Sequence, residues 1–366
     1  MKIAFDASDL CTGRADGTTR YTTELVSRLP QLDTQSAWNF YGPCVAPQHT
    51  PNISWHASPF PTAWTQARFP LELLRDRPDV LFMPIQQLPI LRPWNMKTVA
   101  VIHDLAFHMY PEQFRYTDWL LLHTFTAQVA READAIIAVS KATQEDIATY
   151  YGREKDVHVV YHGIDHDRFR IFSSEEKAAG KLAIQKAYPA ITKPYILYVG
   201  QIQPRKNIAR LVEAFELLKE QDMQLVIAGG PGRHQPPLID RIASSSKKDS
   251  IIVTGAVPDE LLPMLYTNAS VFVLPSLQEG FGIPILEAAA CGVPVVTSNR
   301  SSMKELTRDA FVLVDPEHSV SIAEGISHAL HNAQVLSAKG IARAKEFSWD
   351  TTATQTLKII KEVAHI

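Results

Sequence analysis

Hydrophobic residues in this chain gather into short dense runs separated by longer segments with helical spacing. The runs are Ile3-Ala4-Phe5, Thr98–Ile102, Ala135–Val139 and Val157–Val160, then Tyr195–Val199, Gln224–Ala228, Ile251–Thr254, Ser270–Leu274, Val293–Thr297 and Phe311–Val314. They are rich in β-branched residues and lack clean alternation, as parallel strands covered on both faces require. Helical segments lie between them, among them Tyr21–Leu29, a short one over Asp259–Tyr266, and a last one from near Ser348, a candidate cap, to about Ala364. Leu211, Val212, Ala214, Phe215, Leu217 and Leu218 form an apolar stripe on a helix that Asn207 is placed to cap. Ser140-Lys141 reads as a helix start. From Gly163 to about Pro194 the sequence is irregular and charged. Strand–helix alternation in two sets predicts two doubly wound α/β domains joined near residues 165–194.

Length agrees, because 366 residues exceed one comfortable core. Hydrophobic content of 46% and charged content of 20% are those of a soluble globular protein. The net charge is −3 and neither half is basic, which argues against a nucleic-acid partner. Those totals still leave room for a local basic patch and peripheral membrane association. Cys11, Cys44 and Cys291 form no metal or disulfide pattern, and free thiols suit a reducing compartment. The start, Met1-Lys2-Ile3-Ala4-Phe5, reads as a first strand and not a signal peptide. No stretch of about 18 apolar residues is available to span a membrane. The expectation is a cytoplasmic protein.

The chemistry concentrates after the run Val271–Leu274. There Glu279-Gly280-Phe281-Gly282-Ile283-Pro284-Ile285-Leu286-Glu287 joins a core strand to a core helix. With Pro284 near the first helical position, Glu279 falls in the loop and Glu287 in the first turn or so. Both can then reach one ligand at the helix tip, where exposed N–H groups and the dipole favour an anion such as phosphate. The alternative is a plain strand-to-helix turn with two solvated glutamates. Gly200 follows another strand, and Arg205-Lys206 soon after it offers a planar fork and a compact charge for phosphate oxygens. A strand's C-terminal edge is where α/β proteins hold ligands. Gly229, in Gly229-Gly230-Pro231-Gly232, allows either close ligand approach or only a tight turn. Neither glycine segment is a G-x-G-x-x-G fingerprint.

The first set of elements is less explicit. His103-Asp104 ends a strand and reads either as polar machinery or as a half-buried His beside a capping Asp. Gly13, Gly17, Thr18, Thr19 and Arg20 form a first loop that binds acceptor or phosphate, or only turns. The aromatics Phe60, Trp64 and Phe69, and the run Tyr116–Leu122, are expected to pack in the core rather than touch a lipid or partner.

Taken together these motifs resemble glycosyltransferase family 4, retaining nucleotide-sugar-dependent enzymes of the GT-B architecture. The resemblance is strongest from Tyr195 to Pro316. It rests on Gly200…Pro204-Arg205-Lys206-Asn207, Ala228-Gly229, Thr254-Gly255-Ala256-Val257, Pro275-Ser276 with the segment Glu279–Ala288, Ala290–Val296 and Val314-Asp315-Pro316. Ile102-His103-Asp104-Leu105, Val139-Ser140-Lys141 and His162-Gly163-Ile164-Asp165 add to it. It implies an α/β GT-B fold: two doubly wound Rossmann-like domains facing each other across a cleft. The acceptor domain would be 1–168 plus a terminal helix, 348–366, crossing back onto it, and the donor domain 169–347. It implies that Arg205 and Lys206 hold the donor diphosphate and stabilise the leaving group. Glu287 would bind the ribose hydroxyls, and Glu279 the donor sugar. Phe281, Gly282 and Ile283 would offer backbone N–H groups, and Val257 would position the base. His103 would lie near the transferred sugar, and Gly17 near the phosphates. The segment Gly17-Thr18-Thr19 departs from the family, many members of which carry a second glycine there.

The expected activity is retaining transfer of a hexose from a nucleoside diphosphate sugar, GDP-mannose first, with UDP-glucose or UDP-N-acetylglucosamine as alternatives. The acceptor would be a saccharide or lipid-linked, in polysaccharide assembly. No cofactor or metal is called for, since two cations and a helix tip can meet the charge on the leaving phosphate. Two rivals are a nicotinamide-dependent two-domain oxidoreductase, which the missing fingerprint opposes, and an inactive nucleotide-sugar-binding protein. The joint presence of Arg205, Lys206, Glu279 and Glu287 opposes the second.

Overall fold

The computed structural model describes residues 1–11, 17–44, 51–58, 63–220, 222–230 and 236–365. Gly13, Phe60, Pro231 and Gly232 lie outside the described residues. The chain forms two compact units, Met1–Gly163 with Trp349–Ile366, and Ile164–Ser348.

The first unit is built on a parallel sheet of seven strands: β1 (Lys2–Asp6), β2 (Ala37–Gly42), β3 (Ile53–Ala57), β4 (Val80–Met83), β5 (Lys97–Ile102), β6 (Ala135–Ala138) and β7 (Val157–Val159). Their order is β3-β2-β1-β4-β5-β6-β7. β4 to β6 are buried along most of their length, which is why their sequences show no alternation. At the centre Ile3 lies beside Val80 and Phe5 beside Phe82, and the Phe5 ring also meets Phe40. Each such side chain removed from water contributes about 1.5–3 kcal/mol. The helix Trp349–Ala364 packs on β4 to β6 and on the helix Gly17–Leu32.

The second unit holds a parallel sheet of β8 (Tyr195–Val199), β9 (Gln224–Ala228), β10 (Ile251–Gly255), β11 (Val271–Leu274), β12 (Val295–Ser298) and β13 (Val312–Val314). The order is β10-β9-β8-β11-β12-β13. Successive strands build outward from β8 to one side, and then β11 starts again on its other side. The chain reverses direction across the sheet between β8 and β11, and such a switch point opens a crevice at the strands' C-terminal ends.

Several expectations need correction. β2, β3 and β4 gave no clear signal in the sequence. β4 is only four residues between Pro78-Asp79 and Pro84, and the edge strand β3 buries no residue fully. The segment 163–194 is not irregular throughout. Ser173 and Glu176 form a capping box that starts a helix over Ser174–Ala187. Trp64 and Phe69 are core residues, whereas Tyr116, Leu120 and Leu121 are exposed along one face of the helix Tyr116–Glu132. Cys11 and Cys44 form a disulfide with Cα atoms 5.7 Å apart, and Cys291 is a buried free thiol. The expectation of three free thiols is wrong, and its argument for a reducing compartment lapses. The sequence separation of 33 residues carried no recognisable pattern, because the pairing is made by strand adjacency. Cys44 follows β2, Cys11 follows β1, and these strands are neighbours. Among the described residues no helix is long and apolar enough to cross a membrane.

Candidate active site

At the β8–β11 switch point the chain folds Arg205, Lys206 and Glu279 into one cluster. After β8, Pro204–Lys206 make a single 3-10 turn, and Asn207 takes a left-handed conformation (φ 62°) before the helix Ile208–Leu217. Asn tolerates this conformation better than most residues. Contrary to expectation the Asn207 side chain does not cap that helix. Its Nδ2 donates to the carbonyls of Pro275 (3.0 Å) and Pro316 (2.6 Å), tying the turn to the segments after β11 and β13. The Leu277 N–H donates to the Arg205 carbonyl at 2.8 Å, and the Arg205 guanidinium donates to the Gln278 carbonyl at 3.0 Å. Two loops from distant sequence are thereby locked side by side.

Within this frame Lys206 Nζ lies 2.6 and 2.7 Å from the two Glu279 carboxylate oxygens. Arg205 Nη1 stands 3.5 Å from Oε2, and Ser276 Oγ donates to Oε1 at 2.6 Å. The Glu279 side chain is 8% exposed and each cation's is 15%. Burial by itself pushes the Glu279 pKa up. Lys206 and then Arg205 outweigh it, and the carboxyl is held below its ordinary value. The cluster is therefore an ionised carboxylate between two cations, in surroundings where charge interactions are stronger than in water.

The loop beyond Glu279 is held from below. Ser301 and Ser302 donate to the Glu279 carbonyl, and Ser302 also to that of Phe281. Gly282 then takes φ 105°, which an L side chain rarely adopts, and the helix Ile283–Ala290 begins with Pro284 in its first turn. Phe281 and Gly282 are buried, and Ile283 is half-buried. Glu287, one turn in, accepts a hydrogen bond from Tyr266 at 2.9 Å. Gly200, Gly229 and Val257 sit where β8, β9 and β10 end, on the same edge of the sheet. At Gly229 a Cβ would come within 1.9 Å of the Gly200 carbonyl, so only glycine fits.

Two family models match this chain in succession. "Glycosyltransferase Family 4" takes in residues 15–168, and "Glycosyl transferases group 1" takes in residues 182–347. The chain belongs to this glycosyltransferase family. It is 39% identical over 186 residues to O-antigen chain mannosyltransferase B of Escherichia coli, which covers 49% of this chain and 49% of that protein. The chain thus spans about half the length of that relative. Among solved structures, sucrose-phosphate synthase of Thermosynechococcus elongatus superposes with a TM-score of 0.78 at 20% identity, over 99% of both chains. HepE of Anabaena, solved with UDP and glucose, gives 0.77 at 18% identity, over 99% of this chain and 100% of that one. At such identities the likeness is one of fold, and the architecture is the two-domain α/β GT-B fold.

Gly17 and His103, which the family resemblance singles out, belong to the first unit. Gly17 is exposed and opens the helix Gly17–Leu32. His103 is half-buried at the end of β5, and its Nε2 lies 2.7 Å from the Pro84 carbonyl beyond β4. Asp104 accepts from the Ala106 N–H at 3.1 Å in a local turn; it is not the N-cap of the helix Ala106–Met109, a position Leu105 holds without a side-chain cap. Sequence reasoning missed Tyr266 and the Pro84 carbonyl as partners of candidate site residues, and it named Ser276 only within the family motif, without its hydrogen bond to Glu279. Tyr266 and Pro84 lie in core-like or proline-rich surroundings with no polar motif to mark them. Among the described residues no His, Cys, Asp and Glu cluster is disposed to hold a metal ion.

Proposed function

We propose that this chain transfers a hexose, with retention, from a nucleoside diphosphate sugar to a saccharide or lipid-linked acceptor in polysaccharide assembly. The observation that carries this is the convergence of Arg205, Lys206 and Glu279 at the β8–β11 switch point, beside the N-terminus of the helix Ile283–Ala290. A diphosphate seated there competes with the Glu279 carboxylate for the two cations. When the bond from the anomeric carbon to phosphate oxygen breaks, negative charge grows on the leaving diphosphate. Arg205, Lys206 and the Phe281–Ile283 backbone meet that charge without reorganising. Glu279, eased from Lys206, then accepts from hydroxyls of the transferred sugar, while Glu287 accepts from the ribose. The acceptor hydroxyl attacks from the face the diphosphate leaves, and its proton passes to the departing phosphate oxygen. Two fixed cations do the neutralising that a metal ion does elsewhere, and added chelator is expected to leave the rate unchanged.

GDP-mannose is the proposed donor, supported by the O-antigen mannosyltransferase relative. The HepE neighbour, solved with UDP and glucose, supports the alternative of a UDP-sugar. Binding at the inner face of a membrane, where lipid-linked acceptors lie, belongs to the same proposal. Thermal melts with GDP, UDP and their sugars test the donor, because a ligand of the folded state alone raises the melting temperature. GDP and GDP-mannose are expected to raise it most. Wild-type turnover by Lys206→Ala would sink the site assignment.

A further inference from the structure

Glu287 stands half-buried, one turn into the helix Ile283–Ala290. The last torsion of a glutamate is broad, so hydrogen-bond donors rather than rotamer preference set the plane of its carboxylate. Tyr266 supplies one: its hydroxyl donates to Glu287 Oε2 at 2.9 Å. Tyr266 comes from the short helix Leu262–Thr267, between β10 and β11, and is 0% exposed. Its ring stands edge-on to Phe272 of β11, with centroids 5.5 Å apart, and to Phe169, 5.9 Å away. The short helix is pinned to the middle of the sheet, where the Tyr195 hydroxyl of β8 donates to the Leu265 carbonyl at 2.7 Å. Arg168 braces the other side. Its guanidinium lies 4.8 Å from the centre of the Phe169 ring and donates to the Asp259 carbonyl at 2.6 Å.

A phenylalanine would fill the same space between Phe169 and Phe272, so packing accounts for the ring and not for the hydroxyl. Burial first, and the charge of Glu287 second, hold the Tyr266 pKa well above its ordinary value. The phenol therefore keeps its proton at neutral pH and is a donor to the carboxylate. We propose that Tyr266 is a positioning residue: its hydroxyl sets the Glu287 carboxylate in the plane from which it accepts the ribose hydroxyls of the nucleotide. The ribose is held alike before and during transfer, so this contribution falls on donor binding and not on bond breaking. The inference rests on the place given to Glu287 at the ribose in the proposed function; the Tyr266–Glu287 bond itself does not.

The test uses the full chain as wild type, Tyr266→Phe, Glu287→Gln and the double variant. Calorimetric titration compares GDP with 2′,3′-dideoxy-GDP, and UDP with its dideoxy form in parallel, so that neither base is assumed. Wild type is expected to prefer the ribonucleotide by roughly 10- to 100-fold, the worth of hydrogen bonds to a charged group. Tyr266→Phe keeps the ring and is expected to narrow that preference by roughly 3- to 10-fold, while the dideoxy affinity moves by less than about 2-fold. Its donor KM is expected to rise by a similar factor, with kcat within about 3-fold of wild type. In the Glu287→Gln background the Tyr266→Phe change is expected to cost less than about 2-fold, because residues acting through one another are not additive. A preference that Glu287→Gln abolishes and Tyr266→Phe leaves unchanged overturns the positioning and keeps Glu287 at the ribose. Equal loss of ribose and dideoxy affinity in Tyr266→Phe shows a merely structural role and overturns it too. Equal affinities in wild type overturn the ribose role of Glu287 and the positioning with it. No binding of either diphosphate overturns the proposed function, and this inference falls with it.

Discussion

Glu279 keeps its charge inside the protein because Lys206 and Arg205 stand against it. This has a cost in each direction. Lys206→Ala leaves a buried carboxylate with one of its two cations gone, which typically destabilises by about 3–5 kcal/mol for a fully buried pair. In the proposed mechanism it also removes a donor to the leaving diphosphate, a loss expected to cost roughly 100–1,000-fold in kcat. Melting curves and turnover of the same preparation separate the two losses. The pH dependence follows from the lowered Glu279 pKa. The unfolded chain binds this proton more readily, so the pairing stabilises fully above the unfolded carboxylate value of about 4.3 and fades as pH falls through the lower folded value. Wild type is therefore expected to lose its stability advantage over Glu279→Gln on acidification below about pH 4.3. A stability difference that stays constant from pH 7 to pH 3 would show that Glu279 is not held ionised by its neighbours. The Arg205–Lys206 pair was legible as adjacent charge beside a strand. Its partnership with a carboxylate 73 residues away was not, because contact across a sheet leaves no local spacing.

The strands carry the site by ending together. β8, β9 and β10 stop on one edge of their sheet, and the turns that follow are packed tightly enough that side-chain size is decided there. The Gly200 N–H donates to the Ala228 carbonyl and the Gly229 N–H to the Gly255 carbonyl, both at 2.9 Å, which brings three turns into direct backbone contact. Gly229→Ala would drive a methyl into the Gly200 carbonyl and push β8 and β9 apart at their tips. Overpacking of this kind costs about 1–3 kcal/mol. Because the displaced turn leads to Arg205, nucleotide affinity is expected to fall further than the melting temperature suggests. Calorimetric titration with GDP, set beside a thermal melt, checks both, and unchanged affinity would mean that the turn does not position the cations. The ten strands legible in the sequence are those in which apolar residues, many of them β-branched, run nearly unbroken. β2 is read instead as a mixture of aromatics and polar residues, and β3 is an edge strand with little to bury. Sheet position, not propensity, made strands of them.

Across the whole molecule one covalent link stands out. The Cys11–Cys44 disulfide joins the segment after β1 to the segment after β2, closing a loop of 33 residues in sequence. In the chain-entropy account such a loop contributes about 3–4 kcal/mol. A reductant, or Cys44→Ser, is expected to lower the melting temperature by roughly 6–16 °C at about 2–4 °C per kcal/mol. Alkylation followed by mass spectrometry is expected to label both cysteines only after reduction, and labelling of the untreated chain would show the pair to be free thiols. The sequence by itself determined the fold class. Buried parallel strands demand continuous apolar runs and their connecting helices demand periodic ones, and both requirements are written locally in composition. It also marked the charged and glycine-containing turns at strand ends. Only the tertiary structure decided which of those turns meet: Lys206 with Glu279, His103 with Pro84, Cys11 with Cys44. Each pair is made by the order of strands in a sheet or by helices packed over it, and strand order is set by the packing of the whole chain rather than by any stretch of it.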